Sequence, residues 1–217
     1  MTSAPAGERS TRVKSLDMCR GKRECGGGVR HDRLGKASDA GHKSGGIPLN
    51  AKDMLVKLYD LPDATETESA LRAQGITIKQ AMPHNMHRIV AYVKETFSEG
   101  WAGECSVSFS RNPPSCFVAV DGDTIVGFAC YETTCLNFFG PTGVSPQYRG
   151  RGIGTVLLIK SLQAMHQMGY GYAIIGWVDE AQAFYERTLR AIPIPDSFPG
   201  VYRRAIGIEK IIAGRKP

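Results

Sequence analysis

An α/β fold with a mixed central sheet is predicted by three features of this 217-residue chain. Helix-periodic and strand-like segments follow one another along it, an order that lays helices against a sheet. The run YAIIGWV, residues 172–178, is apolar without alternation, as expected of a strand covered on both faces. Asp121-Gly122-Asp123 joins two β-rich runs as a hairpin turn does, so part of the sheet is antiparallel.

The elements follow in order. Asp63 to Gln74 (DATETESALRAQ) predicts a helix with acids in its first half and Gly75 as its stop. GITIKQAMP alternates Ile76, Ile78 and Gln80 and reads as a first strand. Beyond Pro83, Met86, Ile89, Val90, Val93 and Phe97 recur at helical spacing, and SEGWAGECSVSF predicts a second short helix. SCFVAVDGDTIVGFACYETT is the hairpin, and TCLNFFGPTGV the next strand. Ile153 through Met168 form a helix with Leu158, Leu162 and Met165 on one face and Gly169 as its stop. After YAIIGWV, EAQAFYERTLRA is a last helix and GVYRRAIGIEKII supplies closing strands.

Composition bounds the function. No apolar stretch approaches the ~20 residues of a membrane helix and the N-terminus has no signal-like core, so a cytoplasmic protein without a membrane partner is expected. The net charge of +6 is unevenly placed: residues 1–46 hold 10 Lys/Arg and 5 Asp/Glu, the remaining 171 residues 17 and 16. A nucleic-acid partner is therefore not expected of the folded part, and an RNA-associated reading would rest on the tail alone. Residues 1–46, rich in Gly, Ser, Lys and Arg and without aromatics, are expected to be a disordered basic tail. MLVKLYDLP reads like a natural N-terminus, so a misassigned start is an alternative, and a chain beginning at Met54 is expected to keep its stability. Cys105, Cys116, Cys130 and Cys135 lie in or beside apolar segments as small buried side chains. Cys19, Cys25, His31 and His42 fit no compact zinc spacing, and no metal is expected.

The stretch Gln147 to Leu158, QYRGRGIGTVLL, sets Gly150, Gly152 and Gly154 with Arg149 and Arg151 ahead of a helix. Glycine costs roughly 1 kcal/mol against alanine in a helix interior, so the arrangement needs a use. Unpaired N–H groups and the dipole at a helix start capture anions. Neither a Walker loop nor a dinucleotide fingerprint fits these letters. Read with its upstream neighbours, TGVSPQYRGRGIGTVLL resembles the V-x-P-x-Y-R-G-x-G-I-G signature of the GNAT acyltransferases through Val144, Pro146, Tyr148, Arg149, Gly150, Gly152, Ile153 and Gly154.

The resemblance implies one N-acetyltransferase domain over about residues 54–217, with splayed fourth and fifth strands. It implies acetyl-CoA as co-substrate, its pyrophosphate gripped at Thr142, Gly143, Val144, Arg149, Gly150, Arg151, Gly152, Ile153 and Gly154. The pantetheine arm would enter between residues 139–144 and 175–178. The acetyl group would pass to a primary amine through direct attack on the thioester, with Tyr185 of AQAFYERTL as proton donor, its phenol staying protonated at neutral pH. Spaced at i, i+4, i+8 with Ala181 and Leu189, Tyr185 also fits a core-facing ring. Val178 and Asp179 stand where many members have an asparagine, and LRAIPIP replaces the usual Gly-Phe. No general base stands out among Glu104, Glu132 and Asp179. Trp101, Phe128 and Tyr131 are candidate walls of the acceptor site, while His84 and His87 read as surface residues. A CoA-binding domain without transferase activity, a sensor or interaction module, is the alternative; the acceptor is open, as is a homodimer.

Overall fold

The β-rich runs around Asp121-Gly122-Asp123 form the expected hairpin in the computed structural model of the chain, which describes residues 52–209. β3 (Cys116–Asp121) and β4 (Thr124–Tyr131) pair antiparallel, with Asp121 opposite Thr124 and Gly122 at a φ of +56°. Left-handed backbone suits glycine, so the turn closes without strain. β2 (Ile76–Gln80) adds to the outer edge of β3, and β5 (Phe138–Val144) to β4, both antiparallel.

β5 and β6 (Tyr172–Val178) run parallel, but only Phe138 opposite Ile174 and Phe139 opposite Ile175 are in register. Past these pairs the two strands part. This is the splay expected of the fourth and fifth strands; one more strand, β1 (Lys52–Lys57), precedes them in the chain. β1 lies antiparallel between β6 and the two-residue β7 (Ile192–Pro193), giving the order β2-β3-β4-β5-β6-β1-β7.

Helices cover both faces of the sheet. α1 (Thr65–Ala73), α4 (Ile153–Gln167) and α5 (Gln182–Leu189) share one core with Ala129 and Tyr131 of β4. α2 (Met86–Thr96) and α3 (Glu99–Val107) share a second core with Phe128 and Cys130. Alternation along β4 thus feeds two cores from one strand. α4 is the central helix, with Ile153, Val156, Leu157, Leu158, Ile159, Leu162 and Met165 all buried. Each such side chain contributes about 1.5–3 kcal/mol on burial, which outweighs the glycines at its start. Gly75 and Gly169, at φ +84° and +98°, follow α1 and α4 as predicted.

The described residues all lie in one compact unit. Among them no helix is long and apolar enough to cross a membrane. Two expectations are corrected. The first strand of the sheet is not GITIKQ but β1, read from the sequence only as an N-terminus, and residues Gly200–Arg204 form a 3-10 turn rather than a closing strand. The physical reason is that β1 and β7 already occupy the sheet beyond β6. The expected tail, residues 1–46, and Cys19, Cys25, His31 and His42 lie outside the described residues.

β1 changes the expected effect of shortening the chain. The carbonyl of Asp53 accepts from the Ile194 N–H at 2.8 Å, its own N–H donates to Ser197 Oγ at 2.8 Å, and its Oδ1 accepts from the Trp177 N–H at 3.0 Å. Beginning at Met54 deletes these partners, and each buried group left unpaired costs about 1–3 kcal/mol. A chain cut to Met54 is therefore expected to melt several degrees below one cut to Ile47 by circular dichroism, and equal melting temperatures would refute the role given to Asp53.

Candidate active site

Two cavities open along the splay between β5 and β6. The first, about 680 Å³, runs from Thr142, Gly143 and Val144 of β5 over Arg149, Gly150, Gly152, Ile153 and Gly154 at the start of α4. The second, about 730 Å³, lies between α3, the ends of β5 and β6, and Tyr202. Trp101, Thr142, Ala181 and Tyr185 line both. The two spaces therefore meet at the tyrosine.

The glycines of the first cavity differ in why they are glycine. Gly150 and Gly152 have φ of +76° and +89°, and a Cβ on Gly152 would fall 2.6 Å from Thr67 Cγ2, so the backbone itself demands glycine at both. A Cβ on Gly143 would fall 2.4 Å from the Phe97 ring. Gly154 is otherwise. It sits inside the first turn of α4, and a Cβ there would meet only Val144 Cγ2 at an ordinary 3.7 Å. The fold would accept a side chain at Gly154, so its bareness serves the cavity.

Gly152 offers no side chain to cap α4, which leaves the N–H groups of the first turn without a side-chain partner at the N-cap. Arg149 lines the cavity and donates from Nε to the Val144 carbonyl at 3.2 Å. Arg151, expected beside it, does not line the cavity: Gln74 Oε1 accepts from its guanidinium at 2.8 Å, and the guanidinium lies 5.4 Å from the centre of the Tyr148 ring. Those partners hold the charge on the outside of the loop.

Tyr185 is at once a core residue and a cavity wall. It is 7 % exposed within the α1/α4 core, yet it faces both cavities. Burial pushes its phenol up to about 12, so it stays protonated at neutral pH.

The three carboxylates considered as bases separate clearly. Glu132 is fully buried and takes Arg111 at 2.9 Å and the Tyr170 hydroxyl at 3.0 Å, a structural anchor away from both cavities. Asp179 lines the second cavity. Glu104 does too, receives the Thr134 hydroxyl at 2.7 Å, and has its carboxyl raised above the ordinary value by burial. Trp101 is a wall of both cavities, whereas Phe128 and Tyr131 are core residues, the latter stacked on Phe117. His84 and His87 are exposed, as read.

Trp177 falls in the 175–178 stretch expected beside the pantetheine arm, but no role for its side chain follows from the sequence. β1 pairs Lys52 with Val178 and Met54 with Ile175, so Asp53 faces both Gly176 and Trp177 across a β-bulge. Trp177 adopts a φ of +49°, its N–H is caught by Asp53, and its ring packs on Tyr202 with centroids 4.0 Å apart in the second cavity. An apolar run in the sequence gives no sign of a bulge; only the partner strand creates it.

Residues 83–189, which carry α2 through α5, match the model of the acetyltransferase (GNAT) family. These residues form a domain of that family. Among solved structures, the GNAT domain is similar to the glucosamine N-acetyltransferase region of a fungal multi-domain β-N-acetylglucosaminidase, with a TM-score of 0.54 and 15% identity over 66% of this chain and 20% of that one. It is also similar to a GCN5-related N-acetyltransferase from Sphaerobacter thermophilus, TM-score 0.49 and 22% identity over 66% of this chain and 49% of the other. A third, the PaiA N-acetyltransferase from Thermoplasma acidophilum in complex with coenzyme A, has a TM-score of 0.35 and 18% identity over 43% and 74%. The chain thus spans a fifth of the first and about half of the second, and the likeness to the first is one of fold. No curated protein sequence matches it.

Proposed function

We propose that the GNAT domain binds acetyl-CoA in the first cavity and transfers its acetyl group to a primary amine held in the second, by direct attack of the amine on the thioester. The observation that carries this reading is the meeting of the two cavities at Tyr185. Acetyl-CoA supplies the activated acetyl group. The chain's own residues do the rest.

The first turn of α4 presents N–H groups and the positive end of the dipole to the pyrophosphate, with Arg149 adding a full charge. Beyond Phe139 β5 is no longer paired with β6, and the strand edge so opened is one to which an extended amide arm can hydrogen bond. In the second cavity Glu104 takes the proton of the incoming amine, its raised carboxyl keeping it basic enough to do so. Tyr185 gives a proton to the departing thiolate. Trp101 and Trp177 wall off water from the reacting atoms.

Gly154→Ala tests the first half. Because the fold accepts the methyl group, the melting temperature should hold or rise, while a methyl against the helix start should weaken CoA by about tenfold, or 1.4 kcal/mol. Arg149→Ala should lose a charge-assisted bond of about 1.5–3 kcal/mol. Unchanged CoA affinity by calorimetry in both variants would sink the assignment. The second half is tested by offering acetyl-CoA with a panel of primary amines and measuring free thiol; acetyl-CoA that binds but yields no free CoA with any amine would favour a binding module over an enzyme.

A further inference from the structure

The second core holds a group of side chains that acetyl transfer does not use. Cys105 of α3, Cys116 of β3 and Cys130 of β4 are each 0 % exposed, and their Sγ atoms all lie within 4.8 Å of one another. Cys116 and Cys130 are opposed in the β3–β4 register, and both point toward the layer that delivers Cys105. Three thiols from three elements therefore converge on one point.

The surroundings are apolar, with Ala102, Val118 and Phe128 in the same cluster. The groups that act on the thiols are the thiols themselves, the Ser108 hydroxyl and the Phe117 carbonyl, which accepts from Cys116 Sγ at 3.6 Å, with no lysine or arginine among these partners. Soft thiolate donors select thiophilic ions. Charge then decides which. Three thiolates around a divalent ion leave one negative charge, and around a monovalent ion two; burying an unpaired charge among apolar side chains is costly. A trivalent centre leaves none.

We propose that Cys105, Cys116 and Cys130 form a binding site for a trivalent thiophilic metalloid, arsenic(III) in particular, held as a neutral tris-thiolate. In the binding step three S–H bonds and the three As–O bonds of arsenous acid break, three As–S bonds form, and three waters leave. Arsenic keeps its oxidation state, so no oxidant or reductant takes part. The site stands independently of the acetyl-transfer reading.

The test uses the full chain with Cys19→Ser, Cys25→Ser and Cys135→Ser, which leaves the three core thiols as the only cysteines. After incubation with arsenite and gel filtration, one arsenic per chain should remain by elemental mass spectrometry. Absorption at the arsenic edge should report three sulfur neighbours and no oxygen. Cys130→Ala in this background should lose the retained arsenic, and cadmium(II) should bind at least about tenfold more weakly than arsenite because its complex keeps a charge. No retained arsenic, a two-sulfur site, retention indifferent to Cys130→Ala, or cadmium binding as tight as arsenite each overturns the proposal. Should Cys130→Ala fail to fold, the sulfur count in the parent chain decides alone.

Discussion

Tyr185→Phe is expected to lower kcat by roughly 10² to 10⁴, the contribution typical of a positioned general acid, with CoA affinity nearly unchanged. The ring stays and its packing in the core stays with it, so the variant removes a proton and little else. The phenol, pushed up to about 12 by burial, is protonated throughout the working range, so loss of rate should be similar at pH 7 and pH 9. A tyrosine that served packing alone would give the opposite result. Stability would then fall by about 1 kcal/mol and turnover per folded molecule would not move. Measuring kcat, CoA affinity and melting temperature on the one variant separates the two roles, and wild-type turnover would remove Tyr185 from the mechanism.

Glu104→Gln carries the second large effect, and it should separate rate from stability. As the base that relieves the amine of its proton, Glu104 must be ionised, so activity should fall as pH drops through its raised pKa. The glutamine variant should lose about 10² to 10⁴ in kcat at neutral pH. Stability should change in the other direction. Because the folded-state pKa lies above the unfolded one, this group's stabilising contribution is present below the unfolded pKa and is lost as pH rises through the folded value. At pH 7 the buried carboxylate is therefore a cost that glutamine avoids while still accepting from Thr134. The variant should melt at or above the parent at neutral pH, and the difference should shrink in acid. A variant both fully active and less stable would mean that Glu104 is a structural carboxylate and that Asp179 or water takes the proton.

Much of this fold was written locally. α2, α4 and α5 each announce an apolar face at helical spacing, α1 shows acids in its first half, and Gly75 and Gly169 mark where α1 and α4 stop. The loop from Val144 to Gly154 was legible because its glycines contradict the helix they begin. β1 was not legible: KDMLVK carries Asp53 in its buried stretch, and nothing in six residues tells that the carboxylate will meet a bulge on β6. β7 was hidden by the prolines of AIPIP, which withhold ladder donors and leave only two residues paired. Arg151 and Arg149 look equivalent in the sequence, and only Gln74 and the Tyr148 ring, brought up by the fold, turn one of them away. The cysteine trio follows no motif spacing either. It exists because the hairpin register sets Cys116 against Cys130 under a helix that happens to carry Cys105.

The bulge at Gly176 and Trp177 is held by a residue 124 positions earlier in the chain. Closing so long a loop is entropically slow, and folding rates fall as contacts become more distant in sequence. On a ribosome, β1 emerges first and must wait unpaired until β6 has been made. The hairpin and the helix pair α2–α3 can form from neighbouring residues long before that. The wall of the second cavity is thus finished by the first and the late parts of the domain together, so a nascent chain that had already folded the hairpin and the α2–α3 pair would still lack it.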